Sequence, residues 1–131
     1  MSDKLVPVAV LAMRLWLGLN FVFTHGLGKI SDPGPFLEGG TVQKFPVPIL
    51  FGWLAILSEV AGGTLVTLGL WTRIGAFGIL ATMLAAGFVA HADDPWRRKE
   101  LAFTFAVMAL FLIIYGGGKY SLDALIRRRK R

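Results

Sequence analysis

Four apolar stretches, each about as long as a bilayer is thick, fill most of this chain, and the first two carry opposite charges near their middles, Arg14 and Glu59. A helix needs about 20 predominantly apolar residues to cross the hydrocarbon layer. A lone charge at the centre of such a helix costs roughly 2.5 to 3.5 kcal/mol on insertion scales, so it turns toward a protein interior and finds a partner. The chain is therefore expected to be all-α, an integral membrane four-helix bundle with a polar interior, in which Arg14 and Glu59 lean on one another between the first two helices.

Composition supports that environment and narrows the chemistry. At 131 residues there is room for one unit over 1–131, and 55% hydrophobic residues are more than a water-exposed surface of this size would readily cover. The net charge is +6, with five basic residues in a row from Arg127 to Arg131. Beside a membrane helix that block reads as an orientation signal and an attraction to anionic lipid; no recognition motif accompanies it, so nucleic acid is not a partner. The absence of cysteine removes thiol–disulfide relay, thiolate metal sites and Fe–S ligation by this chain.

The spans are placed at about 5–24, 47–70, 74–90 and 101–117. Arg14 within the first run, and no small-residue cleavage pattern after it, make that run a retained helix rather than a removed signal. Gly26 and Gly28 are expected to end it, and the Gly- and Pro-rich segment from His25 to Pro46 reads as an exposed loop with a short interfacial helix around Phe36. The second and third spans are joined by only Trp71, Thr72 and Arg73, which makes them antiparallel neighbours. Arg73 is expected to cap the C-terminal carbonyls of the second span, and Ser121 to N-cap a short tail helix that Asp123 helps to start. Glycines and alanines through the second and third spans, from Gly62 and Gly63 to Gly87, suit close approach of helix backbones in lipid.

Four spans put both termini on one side. That side carries Lys4, Arg73, Lys119 and the five terminal basic residues, eight in all, against five on the other (Lys29, Lys44, Arg97, Arg98 and Lys99), so positive-inside counting places both ends in the cytoplasm of an inner-membrane protein.

Arg14 and His25 are 11 positions apart, which returns a helix to within roughly 20 degrees, so both lie on one stripe. His25 and His91 fall at the same membrane face, with Lys29 close after the first and Asp93, Asp94 and Glu100 after the second. Imidazole titrates near neutral pH and both donates and accepts, which suits His25 and His91 to proton transfer, while Arg14, Lys29 and Glu59 suit the wall of a polar pocket. The plainer alternatives are a buried ion pair that only fixes helix register and interfacial histidines bonded to loop backbone. No His-x-x-His or His-x-x-x-His spacing is present, and no metal site is assigned.

The ordered set Arg14-Leu15 with Gly18 and Phe21, His25-Gly26-x-x-Lys29, Glu59 with Gly62-Gly63, Leu68-Gly69-Leu70-x-Thr72-Arg73, Met83 with His91, and Gly116 to Gly118 with Tyr120-Ser121-Leu122-Asp123 resembles the DoxX family of small bacterial and archaeal membrane proteins. The resemblance spans almost the entire chain. It implies a four-helix membrane protein whose relatives are associated with thiosulfate:quinone oxidoreductase subunits, tolerance to quinones and oxidative stress, and membrane-bound oxidoreductase complexes. By that similarity a non-covalently bound quinone is the expected ligand. The expected partners are the lipid bilayer, a redox enzyme subunit and a second copy of the chain.

The leading expectation is thus an inner-membrane subunit or accessory protein of a quinone-linked redox system. Its rivals are a small proton-coupled transporter or permeation subunit, in which Glu59 binds a proton or cation, and a non-catalytic membrane assembly factor.

Overall fold

A computed structural model of the chain describes residues 3–131. Those residues are mostly helical and contain no strand. Three helices are long and apolar enough to cross a membrane: α1 (Leu5–Ser31), α3 (Pro48–Leu68) and α4 (Thr72–Ala90). Between α1 and α3 lie a single-turn helix, α2 (Gly34–Leu37), and a 3-10 turn (Val42–Lys44). A fourth long helix, α5 (Trp96–Tyr115), packs along α4, and the short α6 (Leu122–Arg129) follows a glycine-rich turn.

The long helices are apolar on the outside as well as in the core. Val10, Leu17, Phe21, Val66, Ile79 and Leu112 pack inward, while Trp16, Phe23, Ile74, Phe77 and Phe88 are more than half exposed on the outside of the long helices. An outward apolar face on helices that satisfy their own backbone hydrogen bonds is what a bilayer requires.

Small residues set the helix contacts. An added Cβ on Gly63 would stand 2.9 Å from the Gly18 carbonyl oxygen, and one on Gly62 would stand 2.9 Å from that of Gly75. Adjacent glycines thus bring α3 against α1 on one side and against α4 on the other, as the small-residue pattern predicts.

Helix α1 outruns its expected end at Thr24 by about two turns. Gly26 does not terminate it; an added Cβ there would lie 2.6 Å from Val60 Cγ2, so the glycine permits a helix crossing. This sets the register: Gly18 opposes Gly63 and Thr67, and Gly26 opposes Val60. Helix α5 likewise starts earlier than expected, at Trp96 behind Pro95, so its first turn carries Arg97, Arg98, Lys99 and Glu100.

The start of α1, the α3–α4 turn and the α5–α6 segment meet at one end. There α3 closes on Gly69, whose φ of +69° lies in the left-handed region that glycine occupies without strain. Gly69 N–H donates to Val66 O at 3.2 Å and Leu70 N–H to Leu65 O at 3.0 Å, the two bonds of a Schellman ending. Ser121 caps α6 by accepting from Ala124 N–H at 3.1 Å, as expected. Arg73 departs from expectation: its Nη2 donates to Ile114 O at 3.2 Å, capping α5 rather than α3, because the turn projects it across to the neighbouring helix.

Candidate functional site

Two separate polar centres replace the expected Arg14–Glu59 pair. Arg14 is 2% exposed and spends four of its N–H groups on backbone carbonyls: Nε to Val66 O at 2.9 Å, Nη1 to Gly117 O at 2.8 Å and Tyr120 O at 2.9 Å, and Nη2 to Thr67 O at 2.9 Å. Val66 and Thr67 lie in the last turn of α3, where carbonyls lack the i+4 partner of the helix interior and the helix dipole is negative. The guanidinium is thus a tertiary C-cap that also holds the α5–α6 segment.

Glu59 finds Lys29 instead. Lys29 Nζ lies 2.9 Å from both carboxylate oxygens, with the lysine side chain 26% exposed and the glutamate 3% exposed. The register explains the exchange of partners. Because α1 continues to Ser31, Glu59 faces its Gly26–Lys29 turn, whereas Arg14 faces Thr67, eight residues or about 12 Å further along α3. Arg14 therefore does not contribute to the wall of the cavity described next, contrary to the sequence expectation.

That cavity has a volume of about 810 Å³, and His25, Lys29, Glu59 and His91 all line it. Its size falls in the range of small-molecule sites, which are mostly apolar with a few convergent polar groups. His25 is half-buried with its ring against Phe21 and Phe105, at centroid distances of 5.3 and 5.9 Å. Among the described residues no group hydrogen-bonds to the His25 ring. His91 is oriented differently, with Nδ1 2.7 Å from Asp94 Oδ2. That hydrogen bond, aided by the charges of nearby Arg98 and Lys44, holds the Asp94 carboxyl below its ordinary range against the opposing effect of desolvation. A carboxylate on one ring nitrogen fixes which nitrogen carries the proton and leaves the other for a ligand.

The segment between α1 and α3 was expected to be an exposed loop, but it forms part of the site. Phe36, Val42 and Phe45 line the cavity, Val42 is buried, and Lys44 Nζ donates to Ala90 O at 3.0 Å, tying the loop to the end of α4. Phe36 also lies under the Lys29 ammonium, 4.3 Å from Nζ to the ring centroid.

One feature escaped sequence reasoning altogether. Each candidate span breaks into a π-helical turn: Asn20–Gly26 in α1, Ser58–Gly62 in α3 and Ala86–Ala90 in α4. The first contains His25, the second contains Glu59, and His91 follows the third with its N–H on Ala86 O at 2.9 Å. Such turns hold one residue more than the α spacing and recur at functional sites. No residue type announces them, and of the local sequence only Gly62 and Gly87 read as sites of close backbone approach, whereas Gly26 was expected to end its helix.

The DoxX family model matches residues 9–92, which include Arg14, His25, Lys29, Glu59 and His91. The chain belongs to the DoxX family. It is 31% identical to the inner membrane protein YqjF of Escherichia coli over 133 residues, with 96% of this chain and 98% of that protein covered. An uncharacterized membrane protein of Mycobacterium tuberculosis is also 31% identical, with 94% of this chain and 84% of that protein covered. A Bacillus subtilis protein named "Putative oxidoreductase CatD" is 26% identical, with 98% and 95% covered. No solved structure matches the chain. Family membership and the apolar helix exteriors together make this DoxX chain a membrane protein embedded in a lipid bilayer.

Proposed function

We propose that this DoxX protein is an inner-membrane subunit or accessory protein of a quinone-linked redox system and that its cavity receives a quinone ring. The observation that carries this reading is the combination, in one apolar-walled cavity, of an unengaged imidazole at His25 and an ammonium at Lys29. Converting a quinone to a quinol takes up two electrons and two protons at two oxygens on opposite sides of a flat ring. His25 and His91 are the proton donors in this reading, His91 through Nε2 of an imidazolium whose Nδ1–H is held by Asp94. Lys29 uses two of its three N–H groups on Glu59 and keeps a third to polarise a ring oxygen. With no cysteine in the chain, the electrons come from a redox cofactor on a partner subunit. The oxidoreductase name of the Bacillus relative supports the same direction.

In this proposal α5 is a fourth crossing, its charged first turn sits at the interface, and both termini face the cytoplasm, on the basis of the count of basic residues. Purification in mild detergent, followed by lipid extraction and thermal unfolding with added quinone, tests the function. Retained quinone and a rise of several degrees in Tm are expected. No retained quinone and no shift would overturn the reading, and proton-coupled uptake in liposomes that vanishes in Glu59→Gln would replace it with a transporter.

A further inference from the structure

We infer that the ligand reaches this cavity sideways from the bilayer, through a slot between α3 and α4, and that its occupant is a quinone whose apolar tail remains in that slot. The inference rests on the redox reading for the identity of the head group; the slot itself follows from packing.

The two helices pack closely at mid-span through small residues. Their backbones touch there, since an added Cβ on either Gly62 or Gly75 would meet the other's carbonyl oxygen at 2.9 Å. One turn nearer the loop an added Cβ on Gly78 would still meet Ser58 Cβ at 3.5 Å, and the cavity beside this seam is walled by Leu54 and Leu57 of α3 and by Phe77 and Ala81 of α4. These same side chains are open to the outside: Leu54 is 50% exposed, Leu57 52% and Phe77 64%, and Ala81 is exposed as well. A residue that lines a cavity and also faces lipid marks an opening toward lipid. Phe36, Val42 and Phe45 of the loop also line the cavity, and Phe45 stacks on Phe51 with centroids 5.2 Å apart.

Chemistry selects an apolar occupant for the slot. No charged residue occurs between Lys44 and Glu59, or between Arg73 and His91, so the exposed wall of the slot is apolar and Glu59 and Lys29 are the charges at its inner end. A ligand that satisfies both regions is an amphiphile with a ring or head at His25, Lys29 and Glu59 and a tail along α4. A head group free of any tail would leave the slot filled by lipid chains.

The test compares a tail-less benzoquinone with the same ring bearing a decyl tail, at fixed lipid concentration in nanodiscs, on the unaltered protein, on Ala81→Trp and on Val107→Trp. Val107 is 67% exposed on α5, outside the cavity wall, and serves as the lipid-facing control. Partition of the tail into lipid is common to all three proteins and cancels. Ala81→Trp is expected to weaken the tailed quinone at least 10-fold while leaving the tail-less one within twofold; Val107→Trp leaves both unchanged. Ala81→Leu, a smaller obstruction, gives an intermediate loss and guards against misfolding of the tryptophan variant. Equal losses for the two ligands, or none, would overturn the slot and leave the redox reading standing. Absence of binding by either ligand to the unaltered protein would remove the redox reading itself, and the proposed occupant with it.

Discussion

Lys29 grips both carboxylate oxygens of Glu59 at 2.9 Å, joining the last turns of α1 to the middle of α3 at the edge of the cavity. The pair neutralises a carboxylate that is otherwise enclosed, yet the lysine is open enough to keep one N–H for something else. Removing one member of an enclosed pair typically costs about 3–5 kcal/mol, because the other charge is stranded. Lys29→Met or Glu59→Leu alone should therefore lower stability by about 3 kcal/mol, and the double variant should recover at least about 1 kcal/mol of the summed loss. The Arg14→Met and Glu59→Leu pair should instead be additive. Unfolding in detergent measures both cycles, and strong coupling between Arg14 and Glu59 would contradict the partner assignment.

Arg14→Lys keeps the charge but not the fork. A single ammonium cannot reach Val66, Thr67, Gly117 and Tyr120 in the directions the guanidinium serves, so several buried carbonyls lose their donor. We expect a loss of about 2–4 kcal/mol on those grounds, with quinone affinity per folded molecule unchanged, since Arg14 lies outside the cavity. A Tm series alongside ligand titration separates the two effects.

Asp123 provides an acid-side dependence. Its carboxylate accepts from Trp71 N–H at 2.8 Å, Thr72 N–H at 2.9 Å and Thr72 Oγ1 at 2.8 Å, capping α4 from another helix. Burial acts to raise its pKa and is outweighed by these hydrogen bonds together with the charge of Arg127, so the net direction is downward. A depressed carboxyl stabilises the fold fully above its unfolded value of about 3.9, and that stability is lost as pH falls through the lower folded value. Asp123→Asn should flatten the acid limb of a stability–pH profile between about pH 5 and 2. It should also cost about 1 kcal/mol at neutral pH through the weakened cap.

His25→Phe isolates ligand chemistry from packing. The aromatic neighbours Phe21 and Phe105 can still stack on the new ring, and among the described residues no hydrogen bond to the imidazole is lost. Tm should move by little while quinone affinity falls about 10-fold, roughly one hydrogen bond to a polar ligand. Loss of folding without loss of affinity would make His25 a scaffold residue.

Much of this was legible from residue order alone. Hydrophobic run length placed the three apolar spans to within a few residues at most ends, and paired small residues foretold where backbones touch, because lipid offers helices little else to associate by. The ordered motifs pointed to DoxX, and charge in hydrocarbon marked Arg14 and Glu59 as inward-facing, since the energetic penalty for the alternative is independent of fold.

Which inward charges meet was decided only by the tertiary structure. Partner choice depends on where two helices cross, and that crossing was hidden in Gly26, a residue that ordinarily ends a helix and here lets α1 pass Val60 and run on to bring Lys29 beneath Glu59. The π turns, the loop folded over the cavity and the caps supplied to α3 and α4 by Arg14 and Asp123 likewise join residues far apart in the chain. Periodicity reports which face of a helix is apolar; the relative height of two helices is settled by which small surfaces allow their backbones to touch.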